Sequence, residues 1–110
     1  MKQERERDVE RKLKEGVEEL GGVCLKWTSP GSDGVPDRIV ILPGGWVFFV
    51  ELKVEGGRLR SLQEYQIRRL RDLGCDVSVV YGSEGVERWL HEIQALRLYD
   101  MVTWEGGDVE

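Results

Sequence analysis

Histidine and cysteine are scarce in this 110-residue chain, and their scarcity removes whole classes of chemistry. One histidine, His91, and two cysteines, Cys24 and Cys75, cannot build a zinc site of the usual paired spacing. The lone histidine also argues against a Ser-His-Asp or Cys-His hydrolase, for which His91 would be the sole base. Each cysteine lies in an apolar stretch far from the other, so both read as small reduced core residues rather than a disulfide. No apolar run approaches the ~20 residues of a membrane span. The opening MKQERERDVERKLKEG is too charged for a secretory leader, and a cytoplasmic setting is expected.

What the chain has instead is charge on a soluble frame: 40% of residues are hydrophobic and 34% charged. Its size suits one domain over 1–110, with a core over about 4–82 and a C-terminal helix and tail over 83–110. The net charge of −5 argues against a nucleic-acid partner only until its distribution is read. Residues 1–82 balance 14 Lys/Arg against 14 Asp/Glu, whereas 83–110 hold two arginines against seven acids. Arg58, Arg60, Arg68, Arg69 and Arg71 crowd one stretch with Glu64 among them, a local basic face of the kind phosphate binding needs.

The apolar pattern predicts a helix over 3–20, where Val9, Leu13, Val17 and Leu20 form one stripe. Glu6 falls inside that stripe and Glu10 on its border. A short strand follows from Val23 to Trp27, then the loop TSPGSDGVPDR, then a strand over Arg38–Leu42. Pro43-Gly44-Gly45 is a turn, and Trp46–Lys53 returns as a third strand. Both of these strands are nearly continuous apolar runs, which predicts a sheet covered on both faces. Ser61 and Glu64 fit a capping box for a helix whose buried side is Leu62, Tyr65, Ile67, Leu70 and Leu73. Cys75–Tyr81 is a fourth strand, parallel to the third across a right-handed crossover. A last helix over about 84–98 leads into a polar tail whose Met101, Val102 and Trp104 are candidates for docking on this chain or a partner.

Three charges stand out: Asp37 after Pro36, and Glu51 and Lys53 at the end of the apolar third strand. Buried charge costs several kcal/mol unless it is paired or binds a metal. A three-residue turn at Pro43–Gly45 sets Leu42 opposite Trp46 and therefore Asp37 opposite Glu51, whereas a two-residue turn sets Asp37 opposite Leu52. Like charges facing each other destabilise a hairpin, and a divalent cation removes the conflict. The chemistry therefore predicts an odd-length turn.

The segments KWTSPGSDGVPDRIVILPGG, FVELK and GGRLRSLQ, in that order, resemble the VRR-NUC (virus-type replication-repair nuclease) family of the PD-(D/E)xK superfamily. The resemblance runs from about Glu10 to Tyr81. It implies a restriction-endonuclease-like α/β fold: an α-β-β-β-α-β core with a mixed four-stranded sheet flanked by helices, plus the C-terminal helix. It implies metal binding by Asp37, Glu51 and the backbone carbonyl of Leu52, with Mg²⁺ as the ion and Mn²⁺ as a substitute. Lys53 would be the catalytic lysine, orienting the attacking water and stabilising the charged transition state. Gln63 would turn towards the site from its helix, and Glu10 is the best match for a first-helix acid, with Glu6 as the fallback. Lys26, Ser29, Arg38, Arg58 and Arg60 are the expected DNA contacts. The implied activity is a metal-dependent endonuclease cutting branched DNA such as four-way (Holliday) junctions in replication, repair or recombination, working as a homodimer. The alternative is a non-catalytic nucleic-acid-binding or assembly module that keeps the fold.

Overall fold

A period-of-four apolar stripe starts the fold. Val9, Leu13 and Val17 are buried along one side of helix α1 (Glu6–Glu19), which lies across a four-stranded sheet. The computed structural model describes residues 4–107, with side chains through Leu98. Strands β1 (Val23–Lys26), β2 (Arg38–Leu42) and β3 (Trp46–Lys53) form an antiparallel meander. Helix α2 (Ser61–Asp72) then crosses over to β4 (Val77–Tyr81), which pairs parallel to β3 and gives the order β1-β2-β3-β4. Helix α3 (Gly82–Gly107) completes the chain.

The β2–β3 register is the one that the charge argument required. Leu42 pairs with Trp46 and Arg38 with Val50, so the next step of the ladder sets Asp37 opposite Glu51. The three-residue turn closes with Gly45 N–H donating to Leu42 O at 3.1 Å. Gly44 and Gly45 both take positive φ, 94° and 80°, a conformation that costs a β-carbon-bearing residue strain.

The two faces of the sheet differ. On one, Val40, Leu42, Phe48, Val50, Leu52 and Val80 pack against α1 and against Val86, Trp89 and Ile93 of α3. Phe48 meets the Trp89 ring edge-on at 5.7 Å, and each large side chain buried here contributes about 1.5–3 kcal/mol. The other face is only half covered, by α2 and by the loop between β1 and β2. Val23, Leu25 and Val47 remain between 43% and 48% exposed. The expectation of a sheet covered on both faces is therefore corrected. The continuous apolar run of β2 and β3 conceals an alternation between fully and partly buried positions.

Helix α2 also departs from its pattern. Ile67 is buried and Leu70 partly so, but Leu62, Tyr65 and Leu73 face solvent, Leu73 at 75% exposure. Gln63 and Gln66 are buried instead, because they carry the hydrogen bonds that seat the helix. The cap lies one residue earlier than expected: Arg60 is the N-cap, and its N–H donates to Gln63 Oε1 at 2.9 Å. Helix α3 runs past the expected end at 98, with no proline among the residues that follow to break it. The side chains of Met101, Val102 and Trp104 lie outside the described residues.

Candidate nuclease active site

The half-open face carries the charged residues. The loop between β1 and β2 is closed at its neck by Trp27 N–H donating to Asp37 O at 2.9 Å, which delivers Asp37 to the start of β2. Its tip is pinned on α2 by Gln66 Nε2 donating to Asp33 O at 3.2 Å. Gly34 packs so closely on α2 that a β-carbon there would sit 2.8 Å from Leu62 O, and its φ of +88° is itself a glycine conformation.

Asp37 and Glu51 are then held by different elements. The Leu52 N–H donates to Asp37 Oδ1 at 3.1 Å, and Gln63 Nε2 donates to Glu51 Oε2 at 2.9 Å. Lys53 Nζ lies 3.5 Å from the same Glu51 oxygen. Burial is the main force raising the pKa of both carboxyls. The Leu52 N–H and Arg38 oppose the rise at Asp37, while the charge of Asp37 adds to it at Glu51 and Lys53 opposes it. These groups open on a cleft of about 500 Å³, which Glu6, Arg58, Arg60 and Gln63 also line.

The expected residues divide accordingly. Asp37, Glu51, Leu52, Lys53, Gln63, Arg58 and Arg60 share the cleft. Glu10 does not reach it. On the opposite side of the sheet end, its Oε1 is 2.9 Å from Arg38 Nη2, and the acid that α1 gives to the cleft is Glu6. Arg38, expected to meet DNA, is 7% exposed and committed within the protein: it donates to Asp37 O at 2.9 Å and lies 3.6 Å from Asp37 Oδ2. Lys26 is exposed but faces the α1 side, and Ser29 is half-buried in the loop without lining the cleft. Arg71, part of the expected basic face, is tied to Val77 O at 2.7 Å and helps fix α2 to β4. Both cysteines are free and partly buried, and burial pushes the Cys24 thiol up.

The sequence reading missed two links: the anchor from Gln66 to the loop, and the Glu10–Arg38–Asp37 chain through the end of the sheet. The first was signalled by Gln66 lying one turn after Gln63. The second was signalled by a basic residue directly after Asp37.

The donor set suits a hard cation. Burial raises the proton affinity of both carboxyls, the charge of Asp37 adds to the rise at Glu51, and a cation between them would relieve that repulsion. The hydrogen bonds described fall on Asp37 Oδ1 and Glu51 Oε2, while Asp37 Oδ2 lies 3.6 Å from Arg38 Nη1. No group of three or more His, Cys, Asp or Glu side chains gathers as a cage among the described residues. Asp37, Glu51 and, from α1, Glu6 are the carboxylates that line the cleft, and with solvent they make a set in keeping with magnesium, which keeps several of its waters.

A mixed sheet between helices, with this charged cleft at one end, defines an α/β nuclease-like protein. The model of the VRR-NUC domain matches residues 2–84, and the chain belongs to that family of nucleases, which generally use divalent metals. "Putative nuclease p44" of Acyrthosiphon pisum secondary endosymbiont phage 1 is 42% identical over 76 residues, 69% of this chain and 82% of its own. A solved VRR-NUC domain superposes with a TM-score of 0.74 at 36% identity, over 78% of this chain and 94% of its own. A second VRR-NUC domain protein shares the fold at 19% identity, with a TM-score of 0.64 over 84% of this chain and 88% of its own.

Proposed function

We propose that this chain is a Mg²⁺-dependent DNA endonuclease, with Mn²⁺ able to substitute, acting in the cytoplasm of a bacterium or of a phage-infected host. The observation that carries the reading is that Asp37, one residue before the Arg38–Val50 pair that ends the β2–β3 ladder, shares the cleft with Glu51 and Lys53 of β3. Asp37, Glu51 and the Leu52 carbonyl would hold the ion. When bound, such an ion polarises the scissile phosphate, lowers the pKa of its water and offsets developing charge. Lys53, 3.5 Å from Glu51, orients the attacking water and stabilises the pentavalent transition state from the protein side. Gln63 turns into the cleft, where its amide joins Arg60 N–H to Glu51, and in this reading it positions the carboxylate. Arg58 and Arg60, exposed on the cleft rim, receive the phosphates flanking the scissile bond.

The substrate in this reading is branched DNA, a four-way junction above all, met in replication, repair or recombination. A single domain of 110 residues has little surface with which to read base sequence, so shape is the property left to recognise. Paired incision of a junction calls for two sites, and a symmetric homodimer supplies them. No described helix is long and apolar enough to cross a membrane, which accords with the cytoplasmic setting.

The deciding assay incubates purified protein with four-way junction, flap and linear duplex DNA in magnesium, manganese or chelator. The expected result is incision of branched DNA in metal only, lost in Asp37→Ala and Glu51→Ala. Binding without incision in every metal would overturn the enzyme reading and leave a nucleic-acid-binding module.

A further inference from the structure

Helix α1 sorts its charges by face in a way the cleft does not use. Between Glu6 and Glu19 it carries six acids and four bases, so the helix as a whole is acidic. Yet the groove between α1 and β1, about 330 Å³ in volume, is lined by Arg7, Arg11 and Lys14 from α1 and by Lys26 from β1. Arg7, Arg11 and Lys14 fall at i, i+4 and i+7, one side of a helix. Of the six acids only Glu10 lines the groove, and its charge is spent on the buried Arg38 at the groove floor. The one remaining base of α1, Lys12, is directed elsewhere and pairs with Glu87 of α3 at 3.2 Å.

A solvated helix face needs no such segregation. Arg11 and Lys14 do pair along the helix, with Asp8 at 3.0 Å and Glu18 at 2.8 Å. Both pairs are exposed, and exposed pairs of this kind are held weakly enough for phosphate to displace them. Arg7 and Lys26 make no ion pair among the described residues. The groove also adjoins the cleft. Glu6 and Asp37 line the cleft, while their neighbours Arg7 and Arg38 line the groove.

We infer that the α1–β1 groove is a second phosphate-binding surface, which takes a stretch of the DNA backbone away from the scissile position. Its occupant is nucleic-acid phosphate, because Arg7, Arg11, Lys14 and Lys26 line the groove and no aromatic side chain there offers a base a stacking surface. This rests on the nuclease reading and extends it. With one backbone segment in the cleft and another round the end of the sheet, the protein grips DNA whose strands diverge. Phosphate contacts of this type set orientation and affinity without reading sequence.

The test is the affinity of the full chain for a labelled four-way junction, followed by fluorescence anisotropy in chelator over a series of salt concentrations. The double variant Arg7→Gln/Lys26→Gln removes two exposed cations without disturbing a core contact. Its equal-charge control is Lys12→Gln/Arg88→Gln, on side chains that line neither groove nor cleft. The groove variant is expected to bind about 10-fold more weakly, with its logarithmic salt slope shallower by about 2, while the control stays within about two-fold of wild type. Equal affinity of the groove variant and wild type would overturn the inference. So would an equal loss in both doubles, which would show that net charge alone matters. A wild type that cuts no DNA in any metal would sink the nuclease reading and leave this comparison legible. Full cleavage with unchanged groove-variant affinity would sink the groove alone.

Discussion

One face of the sheet is dry and the other is half open, and the two do different work. Under α1 and α3, Val40, Leu42, Phe48 and Val50 interlock with Val9, Leu13, Val17 and Trp89, and among the described residues the only charged group buried there is Arg38 at the sheet end. Under α2, glutamines take the place of leucines, and the buried or partly buried groups include Asp37, Glu51 and Lys53. Stability is concentrated on the first face, which leaves the second free to hold like charges in a partly desolvated cleft. That arrangement explains how a short chain accommodates like charges in its cleft: its buried apolar cluster lies on the opposite face, with α1 and α3.

The largest effects should separate the faces cleanly. Lys53→Ala is expected to lower the cleavage rate by about 10²–10³-fold with little change in melting temperature. Leu13→Ala, at a fully buried position, should cost about 2–5 kcal/mol of stability while any folded fraction cleaves at the normal rate. Denaturant melts paired with rates per folded molecule check both, and a Lys53→Ala variant that unfolds would erase the contrast. Gly34→Ala sharpens it from the loop side. Forcing a β-carbon towards Leu62 O at positive φ should cost about 1–3 kcal/mol and reduce the rate by displacing Asp37. Unchanged activity and stability would mean that the loop does not position the acid.

The smallest effect runs in the opposite direction. Asp37 and Glu51 bind protons more tightly in the folded chain than in the unfolded one. Below the ordinary carboxylate range both states are protonated and the cost is absent. It grows as pH rises through that range towards the raised folded values, so the metal-free protein loses stability over this window. Glu51→Gln, which keeps an acceptor for Gln63, should therefore stabilise the metal-free protein by about 0.5–1 kcal/mol at neutral pH. Thermal melts at pH 7 and below pH 4 read the gain, which should vanish at the lower pH.

The sequence disclosed the strand register and the three charges, because turn length and side-chain alternation are local properties that tertiary packing left in place at Pro43–Gly45. It misread the faces of α2. A count of apolar residues favoured Leu62, Tyr65 and Leu73, but the hydrogen bonds of Gln63 to Glu51 and Gln66 to Asp33 O fixed the rotation of the helix. The same limit applies to the first-helix acid. Glu6 and Glu10 are one turn apart, and their separation by the sheet end depends on Arg38 reaching Glu10, a contact 28 residues distant in sequence. Short-range pattern located the chemistry, and long-range polar contacts decided which neighbours joined it.

Calorimetric titration of Mn²⁺ into the DNA-free protein bears most directly on the paired carboxylates. Wild type should bind the ion, and Asp37→Asn/Glu51→Gln should lose that binding while melting at or above the wild-type temperature. Undiminished Mn²⁺ affinity in the double variant would contradict the account.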